Sequence, residues 1–170
     1  MSLQGARLME LNFKYRFEAA HRFTDASSKC STPHGHTWWT TLTLEHSSSD
    51  INLDKNFATD FKDLKSGWKK FIDNELDHHF FLNADDTLAN YLFETEPNLN
   101  IKLTPGDPTT EVLAALFFRK AEGLLKNFNH VTVSSLLLEE TPTNSICINK
   151  KDADQLIERL ELKQKSKWWQ

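Results

Sequence analysis

The chain has 170 residues, 39% of them hydrophobic and 26% charged, with a formal net charge of −4. That length suits a single domain spanning 1–170, and the composition sets aside the disordered, collagen-like and disulfide-rich classes, along with the basic chains that bind nucleic acid or membrane surfaces. With two cysteines, no apolar run of membrane-spanning length and no basic-then-apolar opening, a cytoplasmic location is expected.

Over 11–21, Leu11, Phe13, Tyr15, Phe17, Ala19 and His21 alternate with polar or small residues, which predicts a half-buried strand ending in a histidine. Beyond a polar loop, a second period-two run over 36–45 puts Trp38, Leu42 and Leu44 in phase with His34 and His36. Phe61, Leu64, Trp68, Phe71 and Ile72 then recur at helical spacing behind Thr59 and Asp60. A second helix opens at Pro108, Thr109, Thr110 and Glu111 and carries an apolar stripe from Leu113 to Phe128. Residues 131–140 and 145–149 read as two closing strands around a turn. Two segments stand outside this ββααββ order. The 24 residues 84–107 are long for a connection and read as a lid, an interface element or disorder. The tail 152–170 reads as an amphipathic helix ending in Trp168 and Trp169, whose indoles are expected to pack against a neighbour or another subunit.

Side chains two apart on a strand share a face, so His34 and His36 can offer two imidazoles to one ion, with Gly35 between them giving the backbone room to bend. His21, at the end of the neighbouring strand, can supply a third. Three neutral imidazoles suit zinc and leave a fourth tetrahedral position for water or substrate, as in catalytic sites. The plainer alternative is a turn feature beside a hydrogen-bonded core histidine. Cys30 is open to three readings: a fourth ligand closing a structural site, a thiolate acting beside the metal, or an inert buried thiol. In "LDHHFFLN", residues 76–83, Asp77 adjoins His78 just after the first helix, a pairing that either tunes a proton-transfer group or simply complements the helix end.

His21 in "FEAAHRF", Cys30 three residues ahead of "HGH", "TDFKDLK", "LDHHFFLN", "PTTEVLA" and "LLEET" follow one another in that order. Each is weak alone, but the ordered set resembles the motifs of the 6-pyruvoyltetrahydropterin synthase and 6-carboxytetrahydropterin synthase family from about residue 13 to 148. The short spacing between the cysteine and His-Gly-His resembles the 6-carboxytetrahydropterin synthase branch of queuosine biosynthesis; the pyruvoyl branch has a longer one.

The resemblance implies an α+β tunnelling fold, a four-stranded antiparallel sheet with two helices on one face, here with the insertion 84–107 and the C-terminal helical extension 152–170. It also implies a homo-oligomer, a trimer or hexamer, with active sites made between neighbouring chains. On the family pattern His21, His34 and His36 would bind Zn2+, Cys30 with Asp77 and His78 would be catalytic, and Glu140 would grip a small-molecule pterin. Thr109 and Thr110 are added as pocket-lining candidates, and Arg22 and Lys29 are nominated for the triphosphate. By parity Glu139 faces away from Glu140, so one of the two should face the pocket. The reaction implied is that of a zinc-dependent carbon–carbon lyase, converting 7,8-dihydroneopterin triphosphate to 6-carboxy-5,6,7,8-tetrahydropterin, acetaldehyde and triphosphate. Two alternatives stand beside it: pyruvoyl-tetrahydropterin formation, and a non-catalytic pterin-binding or assembly protein whose insertion blocks the pocket or recruits a partner.

Overall fold

The computed structural model describes residues 8–25, 27–57, 59–161 and 168–169. The alternating runs become β1 (Leu8–His21) and β2 (His34–Ser47), paired antiparallel in a register that sets His21 opposite His34 and Ala19 opposite His36. His34 therefore lies inside its strand, two residues earlier than the periodicity suggested. Directly paired residues project from the same face of a sheet. Phe13, Phe17, Trp38, Leu42 and Leu44 are accordingly buried on one side, and Lys14, Arg16 and Trp39 stand exposed on the other. β5 (Thr132–Thr141) pairs antiparallel with β2, and β6 (Asn144–Asn149) with β5, as the two closing strands predicted.

Between these halves lie α1 (Phe61–Phe71), capped by the Asp60 carboxylate accepting the Lys62 N–H at 2.8 Å, and α3 (Thr110–Leu125), capped by Thr109. Between α1 and α3 the insertion is folded, not loose. It follows β3 (His79–Asn83) with α2 (Thr87–Thr95) and β4 (Ile101–Thr104), and β3 lies parallel both to β1 and to β4. The sheet is thus six-stranded and mixed, in the order β4-β3-β1-β2-β5-β6. The expected four-stranded antiparallel sheet is its β1-β2-β5-β6 part, and the two short parallel strands correct that description. The near-continuous apolar run of β3, "HFFL", lacks the alternation by which the longer strands announce themselves, and β4 is too short, at four residues, for its alternation to stand out.

The helices number four among the described residues, and three share the main core. α3 is buried along almost its whole length, from Val112 to Leu125, and α1 adds Leu64, Trp68 and Phe71. The third is α4 (Lys150–Glu161), which starts before the predicted 152 and brings Ala153 and Ile157 against α3. The rest of the predicted extension, 162–167 and 170, lies outside the described residues. Trp169 is fully buried, and the Trp168 ring sits 6.2–6.3 Å from the rings of Phe71, Phe81 and Phe117, with its indole N–H donating to the Leu103 carbonyl at 2.8 Å. The paired tryptophans thus find their neighbour in the chain's own core.

Candidate metal centre

The β1–β2 register brings three histidines to one end of the sheet. The ring centroids of His21, His34 and His36 are 4.5–5.1 Å apart, and one ligand nitrogen from each lies within 4.8 Å of the other two. Carbonyls hold two of the rings from behind: His21 Nδ1 is 2.9 Å from the Pro108 oxygen and His34 Nδ1 is 2.8 Å from that of Thr32. A carbonyl only accepts, so each Nδ1 carries the proton and each Nε2 keeps its lone pair, the tautomer a metal ligand needs. His21 Nε2 and His36 Nε2 are buried without a hydrogen-bond partner. Buried lone pairs left in that state are costly, and a cation bound between the rings would satisfy them. The donor set therefore fits zinc. Burial pushes the His21 and His36 imidazoles below the ordinary histidine range; the Pro108 hydrogen bond and the Glu140 carboxylate oppose it at His21, and Glu140 opposes it at His36. Both rings are thereby held in the neutral form that binds a metal.

Gly35 serves this arrangement by close approach, not by bending. β2 is regular there, and a Cβ on Gly35 would sit 3.3 Å from the Ala19 carbonyl oxygen. The same oxygen accepts the Trp38 indole N–H at 3.1 Å, which fixes the strand ends against each other.

An open cleft of about 690 Å³ adjoins the cluster, lined by His34, His36 and His78 together with Leu99 and Asn100 of the insertion. The insertion thus contributes to the lining and leaves the cleft open. The turn of Ile72–Leu76 closes α1 as a π-helix and delivers Asp77, after which His78 takes a positive φ of 56°. Asp77 Oδ1 accepts the Glu18 N–H at 2.8 Å and His78 N–H donates to the Glu18 carbonyl at 2.7 Å, so the pair is pinned to β1 by its backbone. The Asp77 carboxylate stands 3.7 Å from His78 Nε2, and the His78 side chain is 78% exposed. His79, by contrast, has burial pushing its imidazole below the ordinary range, against the hydrogen bond its Nδ1 makes with the Asp77 carbonyl at 3.0 Å.

Cys30 lies in a short 3-10 turn, Lys29–Ser31, half-buried and outside the three-histidine cluster, so the structure does not close the site with sulfur. It also stays off the wall of the cleft that holds His78. Glu140 places Oε1 3.6 Å from His21 Nε2 and 4.0 Å from His36 Nε2, and borders a second cleft of about 620 Å³ beside Trp39 and Pro142. Glu139 points to the other side of the strand, 2.8 Å from Lys14 Nζ, yet it borders the same second cleft, so the expectation that one of the two faces a pocket is not met there. Thr109 accepts the Val112 N–H at 3.4 Å as a helix cap, Thr110 begins the helix, and neither lines either cleft. Arg22 is spent on a two-pronged ion pair with the buried Asp86, at 2.7 and 2.9 Å, which takes it away from the anion-binding role nominated for it.

A profile described as 6-pyruvoyl tetrahydropterin synthase matches residues 10–151. The chain belongs to that family. Among its curated relatives, a protein named 6-carboxy-5,6,7,8-tetrahydropterin synthase from Haemophilus influenzae is 28% identical over 139 residues, 81% of this chain and 96% of the relative. One of the same name from Rickettsia conorii is 30% identical over 130 residues, 76% of this chain and 91% of the relative. In fold, the chain resembles an uncharacterized protein, WS1659, from Wolinella succinogenes, with a TM-score of 0.70 at 21% identity over 85% of this chain and 99% of that one. It also resembles the 6-pyruvoyl tetrahydropterin synthase of Caenorhabditis elegans, with a TM-score of 0.59 at 22% identity over 85% and 96%. The family recognised from the ordered motifs is thus the right one, and with it the assignment to an enzyme family of pterin synthases.

What motif matching in this synthase family missed is the support behind the histidines. The Pro108 carbonyl holds His21 and the Glu18 backbone holds Asp77 and His78, while Asp86 holds the neighbouring Arg22. Backbone groups carry no sequence signal, and Asp86 is legible only as the N-cap of α2.

Proposed function

We propose that the chain is a zinc-dependent 6-carboxytetrahydropterin synthase, converting 7,8-dihydroneopterin triphosphate and one water to 6-carboxy-5,6,7,8-tetrahydropterin, acetaldehyde and triphosphate. The observation that carries this reading is the convergence of His21, His34 and His36, two of them with unpartnered buried Nε2 atoms, beside an open cleft. The names of the curated relatives favour the carboxy product over the pyruvoyl one. Held by the three imidazoles, zinc would supply a Lewis acid for the negative charge that develops on substrate oxygen.

The remaining roles belong to the chain itself. Cys30 takes a proton from the substrate side chain, and His78, pinned with Asp77 to the Glu18 backbone, passes protons on the other side. Glu140 accepts adjacent N–H donors of the pterin from the border of the second cleft. As the family resemblance implies, the complete site would be made between neighbouring chains of a trimer or hexamer working in the cytoplasm, a reading supported by Cys30 lying off the cleft that His78 lines.

Zinc-loaded protein incubated with 7,8-dihydroneopterin triphosphate should yield 6-carboxy-5,6,7,8-tetrahydropterin by mass, with acetaldehyde in equal amount. A pyruvoyl product, or tight pterin binding without acetaldehyde, overturns the assignment. Cys30→Ala should keep the metal and lose turnover; loss of the metal would make the thiol a ligand.

A further inference from the structure

Asp107, the last residue of the insertion, has no part in the chemistry above, yet it is the hub on which the Cys30 loop hangs. Its Oδ2 accepts the Thr24 backbone N–H at 3.0 Å, and its Oδ1 accepts the Thr24 hydroxyl and the Asn83 side-chain amide, each at 2.9 Å. Thr24 adjoins Phe23, whose N–H donates to the Cys30 carbonyl at 2.8 Å. One hydrogen bond and a few covalent bonds therefore separate the Thr24 that Asp107 grips from the thiol-bearing residue. On the other side of Asp107 is Pro108, whose carbonyl orients His21. Near the opposite end of the insertion, Asp86 holds Arg22. Positions 21, 22 and 24 are each gripped by a residue of the insertion or the one directly after it.

We infer that Asp107 is a positioning residue for Cys30, and that the insertion is a brace setting the loop after β1 against the histidines. The inference rests on the catalytic role proposed for Cys30. Its physical basis is a contrast between stability and geometry. The Thr24 contacts are exposed to solvent, so water can replace the carboxylate at little cost to folding. Water cannot reproduce a fixed three-point clamp, and a reacting group displaced by a fraction of an ångström loses rate steeply.

The test is Asp107→Ala against Asp107→Asn, which keeps one acceptor oxygen. Cys30 alkylation by iodoacetamide is read by peptide mass, with the exposed Cys147 as internal reference. Asp107→Ala should raise the Cys30-to-Cys147 alkylation ratio by about fivefold and lower kcat by about tenfold, with KM changed far less. Asp107→Asn should recover at least half of each effect on a logarithmic scale, and Thr24→Val, which removes the hydroxyl alone, should move the ratio in the same direction as Asp107→Ala. An unchanged ratio in Asp107→Ala, or a kcat loss that asparagine does not relieve, overturns the inference. Should the wild-type protein form no carboxytetrahydropterin, the alkylation ratio still decides whether Asp107 holds the loop, so the two failures are told apart.

Discussion

Replacing Asp86 with alanine tests how firmly the insertion is tied to the strand that ends in His21. The carboxylate is 1% exposed, engages both Nε and Nη2 of Arg22, and also caps α2 by accepting the Leu88 N–H at 2.9 Å. Removing one partner of a buried ion pair costs about 3–5 kcal/mol. Arg22 is 24% exposed, so its stranded guanidinium can reach water and the loss falls to about 2 kcal/mol. The missing cap adds about 1 kcal/mol. A total near 3 kcal/mol lowers Tm by roughly 6–12 °C for a domain of this size. Circular dichroism melts of metal-free protein would measure it. Asp86→Asn, which keeps the cap and one prong, should fall between, and Asp86→Ala combined with Arg22→Met should melt above Asp86→Ala alone because no cation is left stranded. A shift under about 2 °C in Asp86→Ala would refute the reasoning, since the pair would then contribute nothing that water does not replace.

Three further predictions concern the site and its frame. His36→Ala, like His34→Ala, should abolish the one-to-one zinc content measured by atomic absorption while the far-ultraviolet spectrum is kept; full zinc retention in both would dismiss these residues as ligands. Trp169→Ala removes a fully buried indole and should cost about 3–5 kcal/mol, read as a lowered denaturant midpoint with little change in slope. Burial holds the His21 and His36 imidazoles below their ordinary value of 6.5, so as pH falls below that value the unfolded chain takes up protons that the folded, metal-free protein refuses. The stability these rings allow is complete above about pH 6.5 and is lost progressively below it. Melting temperatures at pH 7.5, 6.5 and 5.5 should decline in that order, and a rise on acidification would contradict the burial argument.

Period-two patterning made the histidine face readable, because β1 and β2 are half-buried strands and parity alone puts His21, His34 and His36 on one side. The same parity puts Glu139 and Glu140 on opposite sides of their strand, though both border the second cleft. The insertion was not. β3 and β4 are five and four residues long and pair in parallel, so no hairpin turn marks them, β3 shows no alternation, and that of β4 is too short to read. Gly35 shows the limit of reading a residue type alone: its identity suggested flexibility, whereas the structure gives it a carbonyl 3.3 Å from where a side chain would begin. Trp168 and Trp169 were legible as needing cover, and whether that cover came from this chain or another was a matter of tertiary packing only.

Among the described residues β1 meets β3 only along Ala19–His21, so the flank of β1 from Leu8 to Phe17 that faces away from β2 presents amides with no partner strand. Those amides should exchange with deuterium quickly in dilute, dissociated protein. If another chain's strand docks there, these amides, on every second residue of β1, become slow as concentration rises, and the exchange pattern reports assembly residue by residue without any label on the thiol or the metal.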